Sequence, residues 1–194
     1  SGFKLSTISA AGDIRSSGSV DWSVLGRTEF TAAGSINLPN FSFDNPLDSG
    51  TASLFQATGG GITLANGGIN TGLDFTTVNT LDITLDSSGG ISLNNFDIKV
   101  NDRSDVSMTA AGDISLANVK INEAAQNNST GFVNITSTGG ALNLGNSTIR
   151  VEPVSENIAL SLQSSGTLDL GSSDIRVDGV GGSFNKGLRI VSTG

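Results

Sequence analysis

Residues 137–151 read STGGALNLGNSTIRV, and residues 164–177 read SSGTLDLGSSDIRV. Two relatives, SSGGISLNNFDIKV at 87–100 and TAAGDISLANVKIN at 109–122, keep the same order of parts. Each has a glycine, an apolar pair with one residue between its members, a turn of small or asparagine residues, and a second apolar pair. A phrase rewritten at intervals of 20–50 residues is the mark of a stacked-repeat architecture. Aligning on the second member of the first pair gives Leu38, Leu64, Leu93, Leu116, Leu144 and Leu170, with no gaps needed. Four residues before each stands a glycine: Gly34, Gly60, Gly89, Gly112, Gly140 and Gly166. Two residues after stand Asn40, Asn66, Asn95, Asn118 and Asn146, then Ser172. Five residues after stand Phe43, Ile69, Ile98, Ile121, Ile149 and Ile175.

The anchors lie 26, 29, 23, 28 and 26 residues apart. All the variation falls between the second apolar pair and the strand that opens the next unit, in residues 44–53, 71–80, 101–105, 122–131, 152–157 and 178–187. Each unit therefore reads strand, glycine turn, strand, asparagine turn, strand, variable loop. The alternation of Leu81, Ile83 and Leu85, or of Leu160 and Leu162, is the period-two signal of a strand, and no helical period competes with it. Short strands that cannot bury their apolar faces alone must stack coil on coil, equivalent strands pairing in parallel ~4.8 Å apart. The leucine and isoleucine columns then fill the interior, with Phe30, Phe41, Phe55 and Phe96 among them. The glycine column suits a corner needing positive φ or close backbone approach. Asparagine tolerates the left-handed region, and stacked amides can bond coil to coil. Gly12 and Ile14 fit a first unit in which Ser16 takes the anchor place and the sole tryptophan, Trp22, follows. The expected fold is all-β: a right-handed parallel β-helix of roughly seven coils, one segment over 1–194, apparently cut from a longer repeat protein. Variable coil lengths favour the right-handed form over the left-handed one with its strict hexapeptide phasing.

Composition narrows the function. A net charge of −8 with 14% charged residues argues against a nucleic-acid ligand and against an anionic bilayer surface. The chain has no cysteine and no histidine, which removes disulfides, thiolate metal sites and the commonest general base. No apolar run is long enough to span a bilayer. Polysaccharide-cleaving β-helices need clustered carboxylates and a basic side chain. The candidates here are Asp97 and Asp174 in one outward column, and Lys99, Arg150 and Arg176 in another two residues further on. A low-grade ligand face on that basic column is weighed against a solvated face of mixed charge that discourages lateral strand pairing. The variable loops would form one acidic ridge, where a rigid scaffold most often carries binding residues. Trp22 and the Phe positions read as core.

The glycine turn, the Ile-x-Leu pair, the asparagine turn and the x-Ile-x-Val ending resemble the shafts of filamentous haemagglutinin-type exoproteins, over almost the whole chain from Leu5 to Gly194. These are large bacterial adhesins exported by two-partner secretion. The export domain of that family carries NPNL and NPNGI motifs. Neither is present, and DNPL at 44–47 is only a fragment of that wording. The resemblance therefore implies a shaft region of an extracellular, cell-surface bacterial protein. It implies adhesion to a host receptor or glycan through the loop ridge, and an outer-membrane transporter as partner of the full-length protein. It supplies no catalytic residue and no cofactor, so the expectation is a structural and adhesive protein rather than an enzyme. A carbohydrate-binding or carbohydrate-active β-helix is the alternative.

Overall fold

The computed structural model describes residues 5–23, 27–44, 53–70, 82–100, 105–123, 132–151, 158–177 and 187–194. They form a parallel β-solenoid. The strand that opens each coil joins one eight-stranded sheet, in chain order Leu5–Ala10, Arg27–Ala32, Ser53–Ala57, Ile83–Ser87, Val106–Ala110, Val133–Ser137, Ile158–Ser164 and Gly187–Ser192. The remaining strands form an eleven-stranded sheet that bends around the asparagine turn. In the middle coils this bend lies inside a single strand, as in Ile62–Asn70, Ile91–Val100 and Ile114–Glu123.

The register is the one the alignment demands. Ile36, Ile62, Ile91, Ile114, Leu142 and Leu168 pair in sequence, and so do Phe43, Ile69, Ile98, Ile121, Ile149 and Ile175. Trp22 pairs with Phe43 because the first coil has one extra residue in its second turn. Alternation sends every second residue inward. Five successive coils, from Arg27 to Val151, close around a fully buried interior. That is fewer than the roughly seven expected. The first and last coils stack in register, but Ile8, Ile14, Val20, Trp22, Leu168, Leu170 and Ile175 are only partly covered, because among the described residues no strand pairs on their outer side. Each fully buried Leu, Ile or Phe contributes about 1.5–3 kcal/mol, so the central coils hold most of the stabilising burial. Phe30 and Phe55 stack face to face at 4.9 Å, Phe41 meets both edge-on, and Trp22 packs edge-on against Phe30 at 5.8 Å. The phenylalanine rings, expected in the core, are buried there, whereas Trp22 is half-buried at the edge of it.

The two corners of the coil are built differently. At the glycine corner no glycine of the Gly34 to Gly166 column has positive φ. Close approach alone requires it: a Cβ on Gly89 would lie 2.9 Å from the carbonyl carbon of Gly60, and one on Gly140 would lie 2.7 Å from the Asp113 nitrogen. The same proximity lets Gly89 N–H donate to Gly60 O at 2.9 Å and Gly112 N–H to Gly89 O at 2.8 Å. At the other corner Asn40, Asn66, Asn95 and Asn118 have φ of 58°, 48°, 49° and 54°. Their amides form a ladder, each Nδ2 donating to the Oδ1 one coil earlier, at 3.3, 3.2 and 3.1 Å.

Asn146, expected as the fifth rung, is not one. In its coil the left-handed residue is Gly145, one position earlier, at φ 55°, and Gly171 repeats this at φ 54° in the next coil. The second strand stops at Asn143, whose side-chain oxygen accepts the Gly145 N–H at 2.8 Å, and Asp169 does the same for Gly171 at 2.9 Å. A glycine before the aligned asparagine thus takes the strained torsion and releases Asn146 from it.

Candidate functional site

The outward side of the third strand holds the polar residues singled out in the sequence. Parallel register generates two columns there. Asp21, Ser42, Gly68, Asp97, Lys120, Thr148 and Asp174 form one. Ser23, Asp44, Asn70, Lys99, Asn122, Arg150 and Arg176 form the other. Lys99, Arg150 and Arg176 therefore do share a column, but not a cluster. Asn122 stands between Lys99 and Arg150, so those two are separated by two coil spacings, ~9.6 Å along the stack. Only Arg150 and Arg176 are neighbours. Arg176 ion-pairs with Asp174 at 2.9 Å, and both side chains are more than half exposed, so the pair contributes little to stability. Asp97 and Asp174 lie three coils apart in their column, with Lys120 and Thr148 between them.

One concavity interrupts this face. Gly68 presents no side chain outward, and its neighbour forbids one: a Cβ there would lie 2.5 Å from the Asp97 carbonyl oxygen, while Gly67 beside it falls in the inward column of Phe96, and a Cβ there would lie 2.6 Å from the Phe41 carbonyl carbon. The result is an open depression of about 410 Å³ bordered by Asp21, Ser42, Asp44, Asn70, Asp97 and Lys99. Asn70 donates to the Asp44 carboxylate at 3.0 Å. Its rim offers both donors and acceptors, which suits hydroxyl-rich or amine-bearing small groups rather than an apolar ligand. Among the described residues no group of three or more carboxylates has metal-binding geometry.

Two further sets of polar residues hold coils together. Ser87, Ser137, Ser164 and Ser192 donate their hydroxyls to Gly60, Gly112, Gly140 and Gly166 one coil earlier, at 2.8, 2.8, 2.9 and 2.8 Å. Their column also contains Ala32, Ala57 and Ala110, so size rather than polarity is its constant feature. Carboxylates clamp the next coil's backbone: Asp13 accepts the Ser35 N–H and Asp113 the Ala141 N–H, each at 2.7 Å, while Asp82 and Asp105 accept from Asp105 and Phe132 at 3.0 Å. The Ser35 N–H, with Arg15 adding its charge, holds the Asp13 carboxyl below the usual carboxylate range. These acids are structural fasteners. For Asp13 and Asp113 the signal that could have found them is an aspartate directly after the glycine of one coil, facing a backbone donor in the next; Asp82 and Asp105, which follow Leu81 and Ser104, carry no such signal.

Of the acidic loop ridge, Asp44, Asp105 and Glu123 fall among the described residues, while Asp48, Asp74, Asp102, Arg103, Glu152, Glu156, Asp178 and Lys186 lie outside them. The strands on either side of it are described. Near the ends of the strands that lead into the variable segments, Asp44, Asn70, Lys99, Arg150 and Arg176 fall in one column.

The arrangement defines a parallel β-solenoid with a polar outer wall and fastened corners. No family model, no curated protein and no solved structure matches the chain.

Proposed function

We propose that the chain is a rigid, non-catalytic β-helical segment of a large secreted bacterial surface adhesin, serving cell adhesion, biofilm or host attachment. The observation that carries this reading is the unbroken column register, with outward charge spread along the stack instead of gathered at one point. A wall of this kind transmits position and length. Catalysis needs groups held within hydrogen-bonding reach of one reacting centre, and Lys99, Asp97, Arg150 and Asp174 are dispersed over several coils. The extracellular setting, a host receptor or glycan as partner, and an outer-membrane transporter for the full-length protein rest on the resemblance of the repeat to haemagglutinin-type shafts. In this reading the variable segments contact the partner and the coils present them. No cofactor is needed.

The test replaces residues 124–131 and 178–186, between the strands Ile114–Glu123 and Val133–Ser137 and before Gly187–Ser192, by short Gly-Asn turns and follows binding to host cells and to a glycan array. Adhesion should fall while circular dichroism stays β-rich. Adhesion retained after every variable segment is shortened would place binding on the wall and contradict the reading.

The depression at Gly67 and Gly68 favours one second reading, a carbohydrate-binding or carbohydrate-active β-helix. Its discriminating measurement is incubation with a panel of acidic polysaccharides. Cleavage that disappears in Asp97→Asn or Lys99→Ala, both on the rim of the depression, would establish the enzyme and overturn the first reading.

A further inference from the structure

Asn66 differs from the other rungs of the asparagine ladder in the residue that follows it. Asn40, Asn95 and Asn118 precede Phe41, Phe96 and Val119, which are buried, whereas Asn66 precedes Gly67. The fold requires that glycine, since a Cβ there would meet the Phe41 carbonyl carbon at 2.6 Å. Asparagine before glycine is the pair in which a peptide attacks itself most readily, because no Cβ shields the following nitrogen. The Gly67 nitrogen would bond to the Asn66 side-chain carbonyl carbon and lose its proton, the side-chain nitrogen would leave as ammonia, and a succinimide ring would form. Water then opens that ring at one carbonyl or the other, leaving aspartate or an isoaspartate linkage. No oxidant, metal or enzyme takes part.

The structure keeps this pair from reacting in two ways. A φ of 48° puts Asn66 in the left-handed region, where ψ is about +47°. That ψ sets the Gly67 nitrogen nearly opposite Cβ across the Cα–C bond, and ring closure needs the two on the same side. Both ends of the Asn66 amide are also tied: Nδ2 donates to Asn40 Oδ1 at 3.3 Å, and Oδ1 accepts from Asn95 Nδ2 at 3.2 Å. Attack at the carbonyl carbon requires the amide to leave both rungs. We propose that Asn66–Gly67 is a self-modification site gated by its coil: silent while the asparagine corner stands, reactive once the corner opens. The change is permanent. Either product lacks the Nδ2 that bonds to Asn40, and isoaspartate also adds a carbon to the backbone of the corner. An opening of this coil therefore leaves a covalent record and a corner that no longer matches its neighbours.

The test times the conversion in the full chain at mildly alkaline pH, by mass spectrometry of the peptide that holds Asn66, which gains mass as the amide becomes an acid. In guanidinium chloride Asn66 should convert well ahead of Asn40, Asn95 and Asn118. In buffer it should slow about tenfold or more, the factor set by two amide bonds and a torsional change that must precede attack. Asn95→Gly tolerates the torsion and frees one end of the Asn66 amide, so conversion in buffer should speed up severalfold. Asn118→Gly removes a rung as well, but two coils from Asn66, and should leave its rate unchanged. The rate in guanidinium chloride should be the same in all three proteins. Equal rates for the parent in buffer and in guanidinium chloride, or equal acceleration by Asn95→Gly and Asn118→Gly, would overturn the proposal.

Discussion

The glycine corner and the asparagine corner each recur once per coil, yet they obey different constraints. At Gly89 and Gly140 the limit is space: neighbouring coils bring backbone within 2.9 Å and 2.7 Å of where a Cβ would stand, while φ stays in the ordinary range. At Asn40, Asn66, Asn95 and Asn118 the limit is torsion: φ near 50° is required, and there is room for a side chain that then bonds to its neighbours. A corner limited by space accepts only glycine. A corner limited by torsion accepts asparagine or glycine, and Gly145 and Gly171 show the second choice in the C-terminal coils.

The largest expected effect comes from breaking the crowded corner. Gly140→Val forces a β-branched side chain onto the backbone of Gly112 and Asp113 and should destabilise by ~1–3 kcal/mol, read from urea melts. Equal stability of Gly140→Val and the parent would mean that the coils do not approach as closely as described.

A sharper contrast lies within the asparagine column. Asn95→Ala keeps a Cβ at positive φ and loses the amide bonds to Asn66 and Asn118, so about 1–2 kcal/mol should be lost. Asn95→Gly should recover the torsional part and leave the bonding deficit. Asn146→Ala should be nearly neutral, because Gly145 carries the torsion in that coil. Equal losses at Asn95 and Asn146 would erase the distinction between the two ways of building this corner.

The smallest effect belongs to the fasteners. The Asp13 carboxyl is held below its ordinary value, chiefly by the Ser35 N–H. A lowered folded pKa means that the unfolded chain binds the proton more tightly. The contribution is therefore present above the ordinary aspartate value and is lost as pH falls through the lowered one. Thermal melts between pH 6 and pH 2 should show the parent losing slightly more stability over that acid range than Asp13→Asn. Parallel pH profiles for the two would remove Asp13 from the fasteners.

The interior was legible in the sequence because burial acts on every coil alike. An isoleucine or leucine recurs at Ile36, Ile62, Ile91 and Ile114 since each must match the residue above and below. The column of Ser87, Ser137, Ser164 and Ser192 was not legible, because alanine replaces serine at Ala32, Ala57 and Ala110 and a mixed column carries no single chemical signal. Asn146 misled for a related reason: alignment gives its position, but a glycine one residue earlier decides which residue takes the unusual torsion. Of the candidate site, the shared columns of Asp97 and Asp174 and of Lys99, Arg150 and Arg176 followed from the repeat. The depression did not, since it arises from an absent side chain at Gly68, between Ser42 and Asp97.

Everything above depends on one claim, that residues aligned in the repeat are direct neighbours across coils. Thr63, Ser92 and Ser115 are successive members of an outward column. Cysteines at Ser92 and Ser115 would stand one coil apart, ~4.8 Å between Cα atoms and within disulfide reach, whereas Thr63 and Ser115 are two coils apart, ~9.6 Å and beyond it. Oxidation of Ser92→Cys with Ser115→Cys should give a quantitative intramolecular disulfide without loss of β-sheet circular dichroism. Thr63→Cys with Ser115→Cys should stay reduced. Bridging of the two-coil pair, or failure of the adjacent pair in folded protein, would contradict the register.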